Sequence, residues 1–337
     1  MSRAMDDKQV LKVRNLTVRF YTYAGVVHAV TDAYIDIYEG ESIAIVGETG
    51  CGKTIFTRAI TGLIEPPGKI ESGTALFRRR GGEVIDLLKL GREALRQIRG
   101  DEISYVFQDP SSALDPLYTA GYHITETLRE HYSIDKSEAN SKAIELLRNV
   151  LIPNPELRVK NYPHELSGGM RQRIVIAAAI ANQPRLLIAD EPTTNLDVTV
   201  QAQILELIES LKEKYGMGLI LITHNLGIVA EIAERVYIMY GGMVVENGDV
   251  FSIFEAPQHP YTKLLLRSVP NPLIKVEKLE SIPGTVPDLI DMKPGCPFAP
   301  RCPQALPVCS EKTPPQVNLG KGHVVHCWLL EKGGASE

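Results

Sequence analysis

SIAIVGETGCGKT, Ser42 to Thr54, is the stretch from which the rest of the chain is best read. A short apolar run, preceded by Gly40, has the length and composition of a buried strand. Gly47, Gly50 and Gly52 follow, with Lys53 and Thr54 closing the segment, and KTIFTRAITGLI continues as a helix that EPPG stops. Strand, then G-x-x-x-x-G-K-[ST], then helix is the phosphate-binding loop in the context that gives the motif meaning. Its glycines let the backbone curl so that consecutive N–H groups point inward as an anion nest, and the following helix adds its positive end. Gly47, Glu48, Thr49, Gly50, Cys51, Gly52, Lys53, Thr54 and Ile55 are therefore candidate phosphate-contacting residues. Lys53 is suited to the outer phosphates and the Thr54 hydroxyl to Mg2+. Cys51 reads as a small residue at a variable loop position, with raised reactivity expected beside a positive helix end.

A second segment answers the first. RLLIADEP is a continuous apolar run ending in two acids, as expected of a buried parallel strand. Asp190 stands where an acid holds a magnesium shell. Glu191, expected on the opposite side of an extended backbone, is placed to orient or deprotonate an attacking water.

Around these segments the pattern is strand-rich at first, with VLKVRNLTVRFY and HAVTDAYIDIY showing rough alternation. FRRRGGEVIDLL predicts strand, turn and strand, and residues 119–151 turn helical. In LSGGMRQRIVIAAAIAN, Ser167 is a plausible N-cap with Gly168 and Gly169 in the first turn. The helix VQAQILELIESLKEKYG and the strands GLILITH and RVYIMYGG complete an α/β alternation, which implies a mostly parallel sheet covered by helices. After about residue 255 prolines multiply and cysteines arrive.

The bulk properties exclude some classes. A net charge of -5 lacks the basic excess of a general nucleic-acid binder. No stretch approaches the roughly 20 apolar residues of a membrane span, and MSRAMDDKQV has no apolar signal region. A cytosolic chain with reduced thiols is the expectation, any membrane association coming through partners.

With these motifs in order, the sequence resembles the ATP-binding-cassette (ABC) ATPases, through LSGGMRQR some 20 residues before the paired acids. The resemblance covers about residues 8–250. It implies the P-loop NTPase (RecA-like) fold: a mostly parallel core, an N-terminal antiparallel β subdomain, and an inserted helical subdomain at about 110–170. It further implies that Gln108, in YVFQDP, senses Mg2+ and couples to membrane domains. Asp197 closes the D-loop TTNLD, where Asn195 replaces the more usual serine or alanine. His224 matches the switch histidine at the γ-phosphate. Tyr23 is the choice for adenine stacking, with Phe20 and Tyr21 as alternatives. Ser167, Gly168 and Gly169 are expected to complete the nucleotide site of a second cassette, a copy of this chain or a related one, in a head-to-tail dimer. Lys53, Gln108, Glu191 and His224 are the expected catalytic set; Thr54, Gln108 and Asp190 the magnesium set.

APQHPYTKLLLRSVP and CPFAPRCPQALPVC resemble the C-terminal extension of the dipeptide and oligopeptide importer branch, which nickel importers share. This divides the chain into a cassette over 1–255 and an extension over 256–337. Cys296, Cys302, Cys309 and Cys327 are spaced x5, x6 and x17, wider than the C-x2-4-C pairs of structural zinc. By resemblance they are [4Fe–4S] ligands, with Zn2+ and unlinked reduced cysteines as alternatives. The function implied is the ATP-hydrolysing subunit of a peptide importer, peripheral at the cytoplasmic face of the membrane. Two permease subunits and, indirectly, an extracytoplasmic peptide-binding protein would be its partners, with no nucleic acid. The competing readings are a nickel importer ATPase, a soluble ABC ATPase acting on DNA or ribosomes, and an iron–sulfur protein with a regulatory nucleotide site.

Overall fold

The structure is a computed structural model, and it describes residues 5–194, 196–268 and 282–331. In chain order the strands and α-helices are β1 (Gln9–Thr22), β2 (Gly25–Tyr38), β3 (Ser42–Val46), α1 (Lys53–Ile60), β4 (Gly68–Arg78), β5 (Val84–Asp86), α2 (Arg92–Ile98) and β6 (Ile103–Val106). There follow α3 (Pro110–Ala113), α4 (Ala120–His131), α5 (Lys136–Asn149), α6 (Pro155–Arg158), α7 (Gly168–Ala179), β7 (Leu186–Asp190), α8 (Val198–Tyr215), β8 (Gly218–Ile222) and α9 (Leu226–Ile232). The C-terminal part holds β9 (Arg235–Tyr240), β10 (Met243–Asp249), α10 (Val250–Glu255), α11 (Pro260–Arg267), β11 (Gln316–Gly320) and β12 (His323–His326).

The chain forms two compact units that are interleaved in sequence. One comprises Met1–Val10, Ile37–Glu41 and Phe77–Leu221; the other Leu11–Asp36, Ser42–Leu76 and Ile222–Glu337. The first unit carries the strand order β8-β7-β6, with β6 and β7 parallel and Tyr105 opposite Ile188. All five residues of β7 are buried, as a strand covered on both faces requires. Helix α7 packs against β6 and is flanked by α4, α5 and α8. Side-chain caps set the helix starts: Thr119 before α4, Asp135 before α5 and Ser167 before α7 each accept a first-turn N–H. Helix α8 ends at Gly216 in the left-handed region.

The second unit carries the order β11-β12-β10-β9-β3. Strands β3 and β9 are parallel, with Ile45 opposite Tyr237, while β9 and β10 form an antiparallel hairpin that β12 and β11 extend. The described residues after 255 pack into this unit. Tyr240 of β9, Tyr261 of α11 and Phe298 are all fully buried. Their ring centroids lie 4.5, 5.1 and 5.4 Å apart, within the range where tilted and edge-to-face pairs are favourable. Residues 269–281, which include the last two positions of the APQHPYTKLLLRSVP stretch, lie outside the described residues.

Beside these rings, Glu246 is buried and accepts from the backbone N–H groups of Gln258 and His259 at 2.8 and 2.9 Å. Its Oε1 also pairs with His323 Nε2 at 2.8 Å. His259 is buried, and its Nδ1 accepts from the Tyr261 N–H at 3.1 Å, so the ring is used in its neutral form. Burial pushes its pKa down to about 3. The unfolded chain therefore binds a proton that the folded chain refuses, and stability is full above the ordinary histidine value and falls as the pH drops below it. Denaturant titrations should show a loss of up to about 1.4 kcal/mol per pH unit between roughly pH 6.5 and 3 from this group. The slope should flatten by that amount in His259→Gln.

Candidate functional site

In the second unit, the segment joining β3 to α1 runs through two places where only glycine fits. A Cβ on Gly47 would lie 2.2 Å from the Met239 carbonyl oxygen, and one on Gly52 would lie 2.3 Å from that of Ala29. Gly52 also has φ +102° and is the N-cap of α1. Having no side chain, it leaves the N–H groups of the first turn to a ligand. Lys53 is buried, and its Nζ donates to the carbonyl oxygens of Gly47 at 2.7 Å and Glu48 at 3.0 Å. Thr49 and Gly50 are exposed at the crest, while Thr54 and Ile55 are half-buried on α1. Cys51 is only 1% exposed, and burial raises its thiol pKa. The expected reactivity is thereby corrected: loss of water outweighs the nearby positive charge.

Glu48 is held twice. Its backbone N–H donates to the Tyr261 hydroxyl at 3.0 Å. Its carboxylate accepts from both terminal nitrogens of Arg301, at 2.7 and 3.2 Å. The same guanidinium donates to the Tyr240 hydroxyl at 3.1 Å. Also in this unit, His224 is exposed just beyond β8, before the Asn225 cap of α9. Tyr23 is fully exposed in the turn after β1, whereas the Tyr21 hydroxyl donates to Glu71.

In the first unit, Asp190 ends β7 at 2% exposure and its Oδ2 accepts from the Tyr105 hydroxyl at 2.9 Å. Glu191 is not in extended backbone: its φ is +45°. The chain turns sharply at the residue after the strand, in a region costly for a non-glycine residue. Its Oε2 accepts from Gln108 Nε2 at 3.0 Å and from the Thr194 hydroxyl at 3.1 Å. Ser167 caps α7 through the Met170 N–H at 3.3 Å, with Gly168 and Gly169 opening the helix. Asp197 caps α8 through the Val200 N–H at 3.0 Å; Asn195 lies outside the described residues.

Cys296, Cys302, Cys309 and Cys327 line one small, mostly apolar cavity of about 10 Å³ together with His259, Phe298 and Trp328. Burial pushes the Cys296 thiol up to about 12 and raises Cys302 and Cys327 as well. Among the described residues no group of three or more His, Cys, Asp or Glu is placed to hold a metal ion, so neither the [4Fe–4S] expectation nor the zinc alternative gains support from the structure.

Four contacts were not legible in the motifs: Tyr105 on Asp190, Thr194 on Glu191, and Tyr261 and Arg301 on Glu48. Tyr105 alternates with buried neighbours on β6. Tyr261 lies in the HPYT run that marks the extension. Arg301 carries no local signal.

The family model described as ABC transporter matches residues 30–194, and one described as oligopeptide/dipeptide transporter, C-terminal region, matches residues 245–309. The chain is 48% identical over 326 residues to the dipeptide transport ATP-binding protein DppD of Bacillus subtilis (strain 168), covering 96% of each protein. This chain belongs to the ABC transporter family. The chain is also 47% identical over 324 residues to the oligopeptide transport ATP-binding protein OppD of the same organism, covering 96% of this chain and 89% of that one. Among solved structures it resembles the ATP-binding cassette MJ0796 bound to ADP and Pi, at TM-score 0.63 and 28% identity, covering 71% of this chain and 98% of that one. It also resembles cbiO1 from Clostridium perfringens, at TM-score 0.60 and 28% identity, covering 74% and 92%. As an ABC cassette with the P-loop fold, it is an ATPase. No helix among the described residues is long and apolar enough to cross a membrane.

Gly47→Ala in this cassette forces a Cβ into the Met239 carbonyl, and because backbone rather than a flexible side chain is struck, the loop must move. Equilibrium unfolding should register a loss of about 1–3 kcal/mol, and titration with a fluorescent ATP analogue should show binding lost.

Proposed function

We propose that this ATPase is the nucleotide-driven subunit of a membrane importer for dipeptides or oligopeptides. The observation that carries the reading is the match of residues 245–309 to the oligopeptide/dipeptide C-terminal region, on a chain whose cassette motifs are all filled. Residues 1–255 are read as the cassette, with the helical insertion at about 110–170, and 256–337 as the extension.

In the mechanism, the amides from Gly47 to Ile55 hold the triphosphate. Lys53, which donates to two loop carbonyls, transfers its donors to the outer phosphates. Hard oxygen donors suit Mg2+: Asp190 and Thr54, with Gln108, would hold it, and it would neutralise charge on the β- and γ-phosphates. Glu191 takes the proton of the attacking water, with Gln108 and Thr194 orienting its carboxylate; His224 steadies the γ-phosphate. Tyr23 is the adenine-stacking candidate, its ring free of burial. Ser167, Gly168 and Gly169 present a capped helix start to the nucleotide of a second cassette, and Asp197, the cap of α8, would take part in the same exchange. Closure of the two cassettes on ATP, and opening after hydrolysis, would drive two permease subunits fed by an extracytoplasmic binding protein. The chain would then work peripherally at the cytoplasmic face.

Reconstituted with its permeases, the protein should couple uptake of a labelled dipeptide to ATP hydrolysis. Glu191→Gln should lower hydrolysis by at least about 100-fold, leave ATP affinity unchanged and stop uptake. Hydrolysis at a near-normal rate in that variant would remove Glu191 from the chemistry.

The extension carries a separate proposal. Four soft sulfur donors around one cavity fit an iron–sulfur group in donor chemistry, although a water-sized cavity demands that the thiols spread to admit it. Cys296, Cys302, Cys309 and Cys327 would hold a [4Fe–4S] cluster as a structural staple. Anaerobically purified protein should contain about four iron atoms per chain and lose most of them in Cys302→Ser; metal-free protein, or zinc alone, counts against the cluster.

A further inference from the structure

The contact of Arg301 with Glu48 joins residues 253 positions apart and has no part in the chemistry above. Glu48 is the residue after Gly47, inside the segment assigned to the triphosphate. Arg301 lies between Cys296 and Cys302, one position before the latter. The geometry is that of a fork on a carboxylate, with both terminal nitrogens within 3.2 Å of the two oxygens. Arg301 is 6% exposed and Glu48 23% exposed in their side chains, so water competes little for the pair.

The guanidinium has no freedom to follow a moving loop. Its Nε donates to the Pro283 carbonyl at 2.8 Å and a terminal nitrogen to that of Ile282 at 3.2 Å. The Tyr240 hydroxyl accepts at 3.1 Å, and the guanidinium carbon lies 5.8 Å from the centre of the Tyr240 ring. Every one of these partners is in the same compact unit as the loop. A second anchor acts on the same residue from the opposite side of its chemistry, the Tyr261 hydroxyl accepting the Glu48 backbone N–H at 3.0 Å.

We propose that Arg301 is a positioning residue for ATP binding: through Glu48 it fixes the entry of the phosphate loop and neutralises a carboxylate that would otherwise face a polyanion. It touches neither nucleotide nor reacting atom. Its effect belongs to nucleotide affinity rather than to the rate of the bound complex, because the loop is ordered before the chemistry begins. The extension thereby sets how well the cassette holds its nucleotide.

The inference rests on the assignment of the loop to the triphosphate, and the test separates the two. In the full-length chain, affinity for a fluorescent ATP analogue is titrated, and KM and kcat for ATP are measured. Arg301→Gln should weaken binding and raise KM roughly tenfold, with kcat nearly unchanged. Arg301→Lys keeps the charge but not the fork, and should fall between it and the parent. If Arg301→Gln does not fold, Arg301→Lys decides: an unchanged KM overturns the proposal. A double-mutant cycle with Glu48→Gln supplies the second arm. Because Arg301 acts through Glu48, the double variant should bind no worse than the weaker single one; additive losses overturn the proposal. Lys53→Ala is the control on the underlying assignment. Should it bind nucleotide like the parent, the loop assignment itself fails; should it lose binding while Arg301→Gln does not, only the role of Arg301 fails.

Discussion

Two backbone-on-backbone approaches govern the phosphate loop. Gly47 passes the Met239 carbonyl and Gly52 passes that of Ala29 so closely that no Cβ fits at either. Met239 belongs to β9, which runs parallel to β3, so the sheet pairing that forms the core also brings the obstructing carbonyl into place. The tightness of the loop is therefore a product of strand register, and its glycines answer a steric demand as well as a conformational one. The lysine follows the same logic: folded onto the Gly47 and Glu48 carbonyls, it satisfies loop acceptors while buried.

The paired acids are handled differently from each other. Asp190 completes a fully buried strand and receives a tyrosine hydroxyl, so its place is fixed by packing. Glu191, one residue on, leaves the strand with a left-handed turn and has one oxygen engaged by Gln108 and Thr194. Sequence reading placed both acids at the strand end but expected extended backbone at Glu191, where the chain makes a left-handed turn.

Local signals carried much of the architecture. The apolar runs became β3, β7 and β8, the N-cap at Ser167 formed where its hydroxyl and the two glycines said it would, and strand–turn–strand in FRRRGGEVIDLL became the end of β4 and β5. Each depends on residues a few positions apart. The failures share the opposite property. Burial of Cys51 depends on what packs over the loop, and no neighbouring residue encodes it. The fork on Glu48 requires a residue from the far end of the chain, and Thr194 on Glu191 depends on a turn that an acid does not announce. The interleaving of the two units was equally hidden, since the strands that belong together are not consecutive. The four cysteines were legible as a group by composition and, by resemblance, as ligands of one cluster; that His259, Phe298 and Trp328 share their cavity came only with the fold.

The aromatic trio of Tyr240, Tyr261 and Phe298 bears on how such proteins can be recombined. Two of its rings come from beyond residue 255 and one from β9. A chimera that exchanged tails between paralogues at that boundary would cut through a shared interior, leaving mismatched rings or a void. A cassette shortened there would present Tyr240 to solvent and leave Glu48 without its partners. Any exchange of the tail therefore has to match the ring that β9 supplies, Tyr240, in shape and volume.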